Sequence, residues 1–354
     1  MARLTLRQPT GTLRAACGYG YDPPVTVPAV PLPTGAPGAT SADVAAGIAG
    51  WLGSPALSDL VTAFGGRPPT ADLGAALAWL DDFSAAHWDF RGGRERPEAR
   101  EPALPPETAR RVLASARALG LVTPRPPARS GYAHLVVLGG LAHACVSRVR
   151  CAARLLGHTV GSETTGAGIT AATVAVLGSF RPLTADETAS LAAAGITGCR
   201  SEVDALDATV RREFGVDTPV AEHGESGDDP HRSWSERIYR PVGGPQVRVL
   251  AAPSGDPAVR RAHTADTQRF WASRIRLAPG DPVLLVTAPI YVPFQHCDAL
   301  RTLGVPYGCG VETVGHPPSD LDDRMPVPVL TPGRYLQEIR SAVRSMRALH
   351  AALS

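Results

Sequence analysis

Glycines and polar residues recur in this sequence directly after short apolar runs, where a ligand could be held. The run His134–Leu138 ends in Gly139-Gly140, and Arg148 follows about two turns into the next segment. Glycines behind a strand let backbone N–H groups approach a ligand, and a helix starting there attracts anions. A tight strand-to-helix turn would use the same pair. A second run, Thr173–Leu177, ends in Gly178, Ser179 and Arg181. Ser179 is placed to contact a phosphate or carboxylate, and Arg181 either grips one bidentately or pairs on the surface. Glu202 and Asp204 open a further helix. A carboxylate there acts as a general base, binds ribose hydroxyls, or simply offsets the helix dipole.

Two more clusters carry histidine. In HTADT, His263 and Thr267 are four apart and share a helical face with Thr264 and Asp266 close by. In VTAPIYVPFQHC, Thr287 ends an apolar run and Tyr291, Gln295 and His296 follow. His296 is a candidate acid/base because an imidazole titrates near neutrality. Cys297 beside it points elsewhere on a helix and reads as a buried thiol. The expected catalytic set is therefore Glu202, His263, Asp266 and His296. The expected ligand-binding set is Gly139, Gly140, Arg148, Ser179, Arg181, Thr264, Thr287 and Tyr291. His296, Asp298, Glu312 and His316 have no spacing that demands a metal, and no metal is expected.

The elements that must position these residues follow from periodicity. Residues 1–40 are rich in Pro and Gly and read as an arm. Residues 41–125 read as helices: one with a Ser41/Asp43 cap signal, one with Leu73, Leu77, Leu80 and Phe83 on a face, and one running from the Pro pair at 105–106 to Gly120. From 131 to 354, short fully apolar strands alternate with helices. The strands are His134–Gly140, Thr173–Ser179, Gln246–Gly255, Asp281–Pro289 and a fifth in CGVETVG. A long helix starts at Asp256-Pro257, and a C-terminal helix closes the chain. Such alternation predicts an α/β fold, a Rossmann-like parallel sheet flanked by helices, with an N-terminal helical region. Ligands in such sheets sit beyond the carboxyl ends of the strands at a switch point. Residues 218–245 lack apolar periodicity and read as a lid or as disorder.

Composition narrows the function. The chain has 354 residues, is 44% hydrophobic and carries a net charge of +2, with no basic block for nucleic acid or an anionic membrane. It contains no Lys and no Asn, a GC-rich, actinobacterial type of composition. Lysine Schiff bases, a phosphate-loop lysine and a Cys-His-Asn triad are thereby excluded. The six cysteines, among them Cys17, Cys145 and Cys297, follow no zinc or disulfide spacing and read as reduced thiols. No secretory leader and no apolar run long enough to span a bilayer is evident, so a cytoplasmic location is expected.

Several of these pieces, taken in order, resemble the YdcF/SanA/ElyC-like family of Rossmann-like proteins over about residues 133–316. VVLGGLAHACVSRVR is similar to its strand, Leu-Gly-Gly and helical Arg. SEVDALDATVRREFG is similar to its acidic helix, with Glu202 in place. HTADTQRF is similar to its Asn-Thr-x-Glu-Asn segment, with Thr264 kept, Asp266 for Glu, and His263 and Thr267 for the Asn residues. VLLVTAPIYVPFQHC is similar to its last strand, with Thr287 kept. The departures are Gly178-Ser179-Phe180 for Ser-Gly-Gly, and Tyr291 with Phe294 or Gln295 where His and Arg stand. The resemblance implies a small-molecule site and, as in some members, S-adenosylmethionine; otherwise the cofactor is unknown.

Together these readings predict an enzyme, in bacterial specialised metabolism, acting on a small polar or anionic, perhaps nucleotide-like, ligand. The alternative is a non-catalytic module that binds S-adenosylmethionine or a nucleotide. No nucleic acid or membrane partner is expected, a homo-oligomer is left open, and no reaction class follows.

Overall fold

A computed structural model describes residues 29–69, 72–90, 101–158 and 168–353. Most of the expected arm, with Cys17, lies outside them. The architecture is α/β: a seven-stranded, mostly parallel sheet with helices on both faces. The strands are β1 (Gly131–Leu138), β2 (Thr170–Gly178), β3 (Ala221–Glu225), β4 (Trp234–Tyr239), β5 (Gln246–Ala251), β6 (Pro282–Thr287) and β7 (Gly310–Gly315). Their spatial order is β3-β4-β5-β2-β1-β6-β7. Strands β5, β2, β1, β6 and β7 are parallel, and β3 and β4 run antiparallel. The chain builds outward from β1 through β2 to β5, then crosses back to place β6 on the other side of β1. The order therefore reverses between β1 and β6, and there the parallel-strand rule puts a ligand.

Strict alternation explains why these runs become doubly buried strands. Leu135, Val137, Val174, Val176, Leu284 and Val286 face one layer, built from α5 (Ala142–Leu155) and α7 (Glu202–Phe214). Val136, Leu138, Ala175, Leu177, Val283 and Leu285 face the other. That second layer holds α8 (Thr264–Arg274), α9 (Val292–Ala299) and the long α11 (Pro332–Ala351). Each fully buried Val or Leu contributes about 1.5–3 kcal/mol, so the pattern leaves little freedom of register. Register sets Leu138, Leu177 and Leu250 in one row, and Val137, Val286 and Val314 in the next.

The N-terminal helices α1 (Ser41–Leu52), α2 (Pro55–Ala63), α3 (Leu73–Trp88) and α4 (Pro106–Ala118) share the second core. Ile48, Trp51, Leu60, Leu77 and Trp88 are buried against it. The cap of α1 is Thr40, one residue before the expected position, reciprocated by Asp43. Among the described residues no single helix is long and apolar enough to cross a membrane. Ahead of α1 the chain lies along β7: Val311 donates to the Gly35 carbonyl at 2.7 Å. On the opposite edge, β3 is exposed along nearly its whole length.

Two expectations are corrected. Residues 218–245 carry the β3–β4 hairpin, which extends the sheet; a lid was expected. Its alternation is hidden because buried Glu236 occupies a core-facing slot, held by Arg248 at 2.7 Å and Arg274 at 3.1 Å. The helix expected from Asp256 begins only at Thr264, after turns closed by Asp256. Helix α9 continues through a π-turn (Leu300–Gly304) into a last short turn, α10 (Val305–Tyr307).

Candidate functional site

The switch point begins at the end of β1. A Cβ at Gly139 would lie 2.5 Å from Glu202 Oε1 and 2.7 Å from the Leu177 carbonyl oxygen, so only glycine fits. Helix α5 starts just beyond, with Leu141 as its cap. Arg148 turns back from that helix, buried, and donates through Nη1 to the carbonyls of Leu138 (2.9 Å) and Gly139. Its guanidinium lies 5.7 Å from the ring centre of Tyr291. Tyr291 belongs to the 3₁₀ turn (Pro289–Tyr291) that follows β6, so Arg148 bridges the two sides of the reversal.

At the end of β2, Ser179 and Glu202 meet. Ser179 donates its N–H at 3.1 Å and its hydroxyl at 2.6 Å to Glu202 Oε2. Glu202 is the first residue of α7, which is capped by Ser201 with Asp204 reciprocating. Burial raises the pKa of Glu202, and the Ser179 hydrogen bonds with nearby Arg181 and Arg148 only partly oppose it. Arg181 is occupied internally: its two terminal nitrogens pair with Glu187, each at 2.8 Å, and Nη2 also donates to the Gly140 carbonyl at 2.9 Å. Glu187 in turn accepts the Ala142 N–H at 2.9 Å. Burial alone would favour a protonated Glu187, but Arg181 and the backbone donors outweigh it and bring its pKa down to about 2.

The far side is built by β6 and β7. The buried Thr287 hydroxyl donates to Gln295 Oε1. The His316 N–H donates to the Thr287 carbonyl at 2.8 Å, which fixes His316 directly beyond β7. His143, in the first turn of α5, lies within electrostatic reach of Arg148, Glu187, His316 and Arg334. Burial chiefly, and the neighbouring cations, bring the His143 pKa down to about 4. Burial and Arg148 lower that of His316. Arg334 comes from the first turn of α11. The rim thus combines two guanidinium groups and two neutral imidazoles above the ends of β1, β6 and β7, a setting suited to anions.

The structure therefore brings Gly139, Gly140, Arg148, Ser179, Arg181, Glu202, Thr287 and Tyr291 to one edge of the sheet. The other candidates have separate surroundings. His263 caps α8, its Nδ1 accepting the Asp266 N–H at 3.3 Å while Asp266 accepts the His263 N–H at 3.1 Å. Asp266 also pairs with Arg260; burial opposes ionisation there, but Arg260 and His263 keep its pKa low. The Thr264 carbonyl accepts the Thr267 hydroxyl at 2.9 Å. This cap follows β5, two strands away from β1. His296 is buried between the Pro33 carbonyl (2.9 Å to Nε2) and the Thr313 hydroxyl (3.2 Å to Nδ1), and burial lowers its pKa. It holds the segment before α1 against β7. Cys145 and Cys297 are buried thiols; burial pushes the Cys145 pKa up to about 12.

Sequence reasoning passed over His143, Glu187 and Arg334, and weighed His316 only as a metal ligand. Signals existed for three of them. His143 stands three residues after the glycine pair, His316 directly follows a strand, and Thr184 with Glu187 has capping-box spacing. A larger cleft of about 290 Å³ lies elsewhere, lined by Cys199, Asp204, Asp207, Arg211, Glu222 and Arg237 among others. Among the described residues no group of three His, Cys, Asp or Glu side chains could hold a metal ion.

Comparison with known proteins overturns the resemblance drawn above. Residues 35–120 match a family model described as the Rv3785 N-terminal domain, which coincides with the helical region. The chain is 33% identical over 325 residues to "Uncharacterized protein Rv3785" of Mycobacterium tuberculosis, covering 84% of this chain and 87% of that protein. The same figures hold for "Uncharacterized protein Mb3814" of Mycobacterium bovis. No solved structure gives a significant match. The motifs that suggested a YdcF/SanA/ElyC-like protein are strand ends and helix starts that any sheet of this topology needs, and HTADT is a helix cap. The implication of S-adenosylmethionine falls with that resemblance. Over most of its length, and through its N-terminal helices in particular, the chain belongs to the Rv3785 family.

Proposed function

We propose that this protein is an enzyme of small-molecule metabolism that binds an anionic ligand at the β1/β6 reversal. One observation carries the reading: Arg148, His143, His316 and Arg334, from four different elements, converge on the edge where parallel strands present ligands. Glu202 is the group suited to proton transfer, since burial holds its carboxyl above the ordinary range. The free thiols suit a reducing, cytoplasmic setting. The test is native mass spectrometry of the purified chain, followed by incubation of whatever acid it carries. Retention of an acidic molecule by the wild type, its loss in Arg334→Ala, and its slow conversion would support the reading. A neutral ligand, or one indifferent to Arg334, would refute it.

A second reading is a binding module without turnover. It is favoured by the internal pairing of Glu202 with Ser179 and of Arg181 with Glu187, which leaves these groups engaged with the fold. An acidic ligand recovered unchanged after prolonged incubation would select it.

A further inference from the structure

The chemistry of the rim goes further than "anion", and the following rests on the anionic-site reading above. His143 follows β1 and His316 follows β7, so the two imidazoles stand on either side of β6, whose last carbonyl binds the His316 N–H. Arg148 lies beneath them, anchored to the Leu138 and Gly139 carbonyls and set against Tyr291, so its position is fixed before any ligand arrives. Arg334 approaches from α11. The charged groups facing His143 are Arg148, Glu187, His316 and Arg334; those facing His316 are Arg148 and Asp320. Glu187 is neutralised by Arg181, and Asp320 by Arg154 at 2.8 Å. The local field is therefore positive. It keeps both imidazoles uncharged, and a carboxylate with its single charge would cancel only one of the two guanidinium groups.

We infer that the rim receives a tetrahedral dianion, a phosphoryl group borne by the ligand, which sits between His143 and His316 over Arg148 and Arg334 and is bound together with protons. The physical reason is reciprocal. The cations that discharge the imidazoles are the ones the dianion neutralises, so its arrival returns to each ring a reason to hold a proton, and each protonated ring adds a donor to a phosphoryl oxygen. Two guanidinium groups and two imidazolium rings present more donors than a planar carboxylate can use, whereas a tetrahedral group offers oxygens in several directions.

The experiment is calorimetric titration of the full chain with sulfate, inorganic phosphate, AMP, ribose 5-phosphate and succinate, in buffers of different ionisation enthalpy. Sulfate stays dianionic throughout, so its pH dependence reports the protein alone. Above pH 6 its affinity is expected to fall up to tenfold per pH unit for each proton taken up. Net proton uptake should drop by about one in His316→Gln and in His143→Gln, with folding checked by circular dichroism. Imidazole shifts of the wild type on adding sulfate give the same answer without a variant. AMP and ribose 5-phosphate binding more tightly than inorganic phosphate would assign the phosphoryl group to an organic ligand; the reverse would assign it to the free ion. Sulfate and phosphate bound without proton uptake would overturn the inference and leave the anionic site standing. Succinate bound in preference to both would do the same. No binding by any of the five would bring down both.

Discussion

Ser179 and Glu202 are joined twice across the gap between β2 and α7, the backbone N–H and the hydroxyl of Ser179 both donating to one carboxylate oxygen at 3.1 and 2.6 Å. Glu202→Ala leaves two buried donors without an acceptor and should cost about 2–4 kcal/mol, whereas Glu202→Gln keeps an acceptor and should cost about 1 kcal/mol. Urea unfolding reads both. Burial raises the Glu202 pKa, so the wild type loses stability as rising pH ionises it, and the deficit of the Gln variant should narrow from about pH 5 to about pH 8. Equal losses in the two variants would show that the pairing does not hold these elements together.

The Arg181–Glu187 pair has the opposite pH signature. The Glu187 pKa falls from 4.5 unfolded to about 2 folded. Its contribution is present above the unfolded value and disappears as pH falls through the folded one. Screening leaves about 1–3 kcal/mol of that. Glu187→Gln should flatten the acid limb of the stability profile between about pH 4.5 and about pH 2 while changing the neutral limb by a constant. A wild-type acid limb in the variant would assign that limb to other carboxylates.

The two adjacent glycines should respond unequally. Gly139→Ala drives a methyl group into Glu202 and the Leu177 carbonyl, and should cost about 1–3 kcal/mol with a lowered Tm. At Gly140 the nearest atom to an added Cβ is that of Ala144 at 3.2 Å, with Arg148 Nη1 at 3.4 Å, so the loss should stay under about 1 kcal/mol. Thermal unfolding of both variants would test this, and a Gly140 variant that suffers as much would contradict it.

His296 should govern the segment before α1. His296→Phe removes the hydrogen bonds to Pro33 and Thr313, so the Val311 N–H, bonded to Gly35, should exchange with solvent at least tenfold faster. The His296 pKa is lowered by burial, so protonation below about pH 6.5 should loosen the same contact in the wild type and leave the Phe variant unaffected. Hydrogen exchange measured by mass spectrometry at two pH values decides it.

The parallel strands were legible because each is buried on both faces, which writes an unbroken apolar run such as Leu135–Leu138. The caps of α6 (Ala185–Ala193) and α7 were legible because Thr184/Glu187 and Ser201/Asp204 have reciprocal spacing. Strand β4 was not, since Glu236 breaks its alternation and only its ion pairs with Arg248 and Arg274, one from β5 and one from α8, make that tolerable. The β1 and β2 ends of the site could be read locally. The pairing of His143 with His316 could not, because it depends on β6 lying between β1 and β7, a fact of strand order that no local pattern encodes.

The two outermost strands bear on how this molecule keeps company with its own copies. On β7, the stretch containing Pro33 and Gly35 occupies groups that a foreign strand would otherwise seek. On β3, Glu222, His223 and Glu225 place charge along a bare margin. Both rims are thereby blunted against templated addition of further chains, the hazard that open sheets carry into concentrated solution. Crowding should consequently leave the native sheet finite, and loss of the Pro33–Gly35 cover is the change that would expose it to fibril growth.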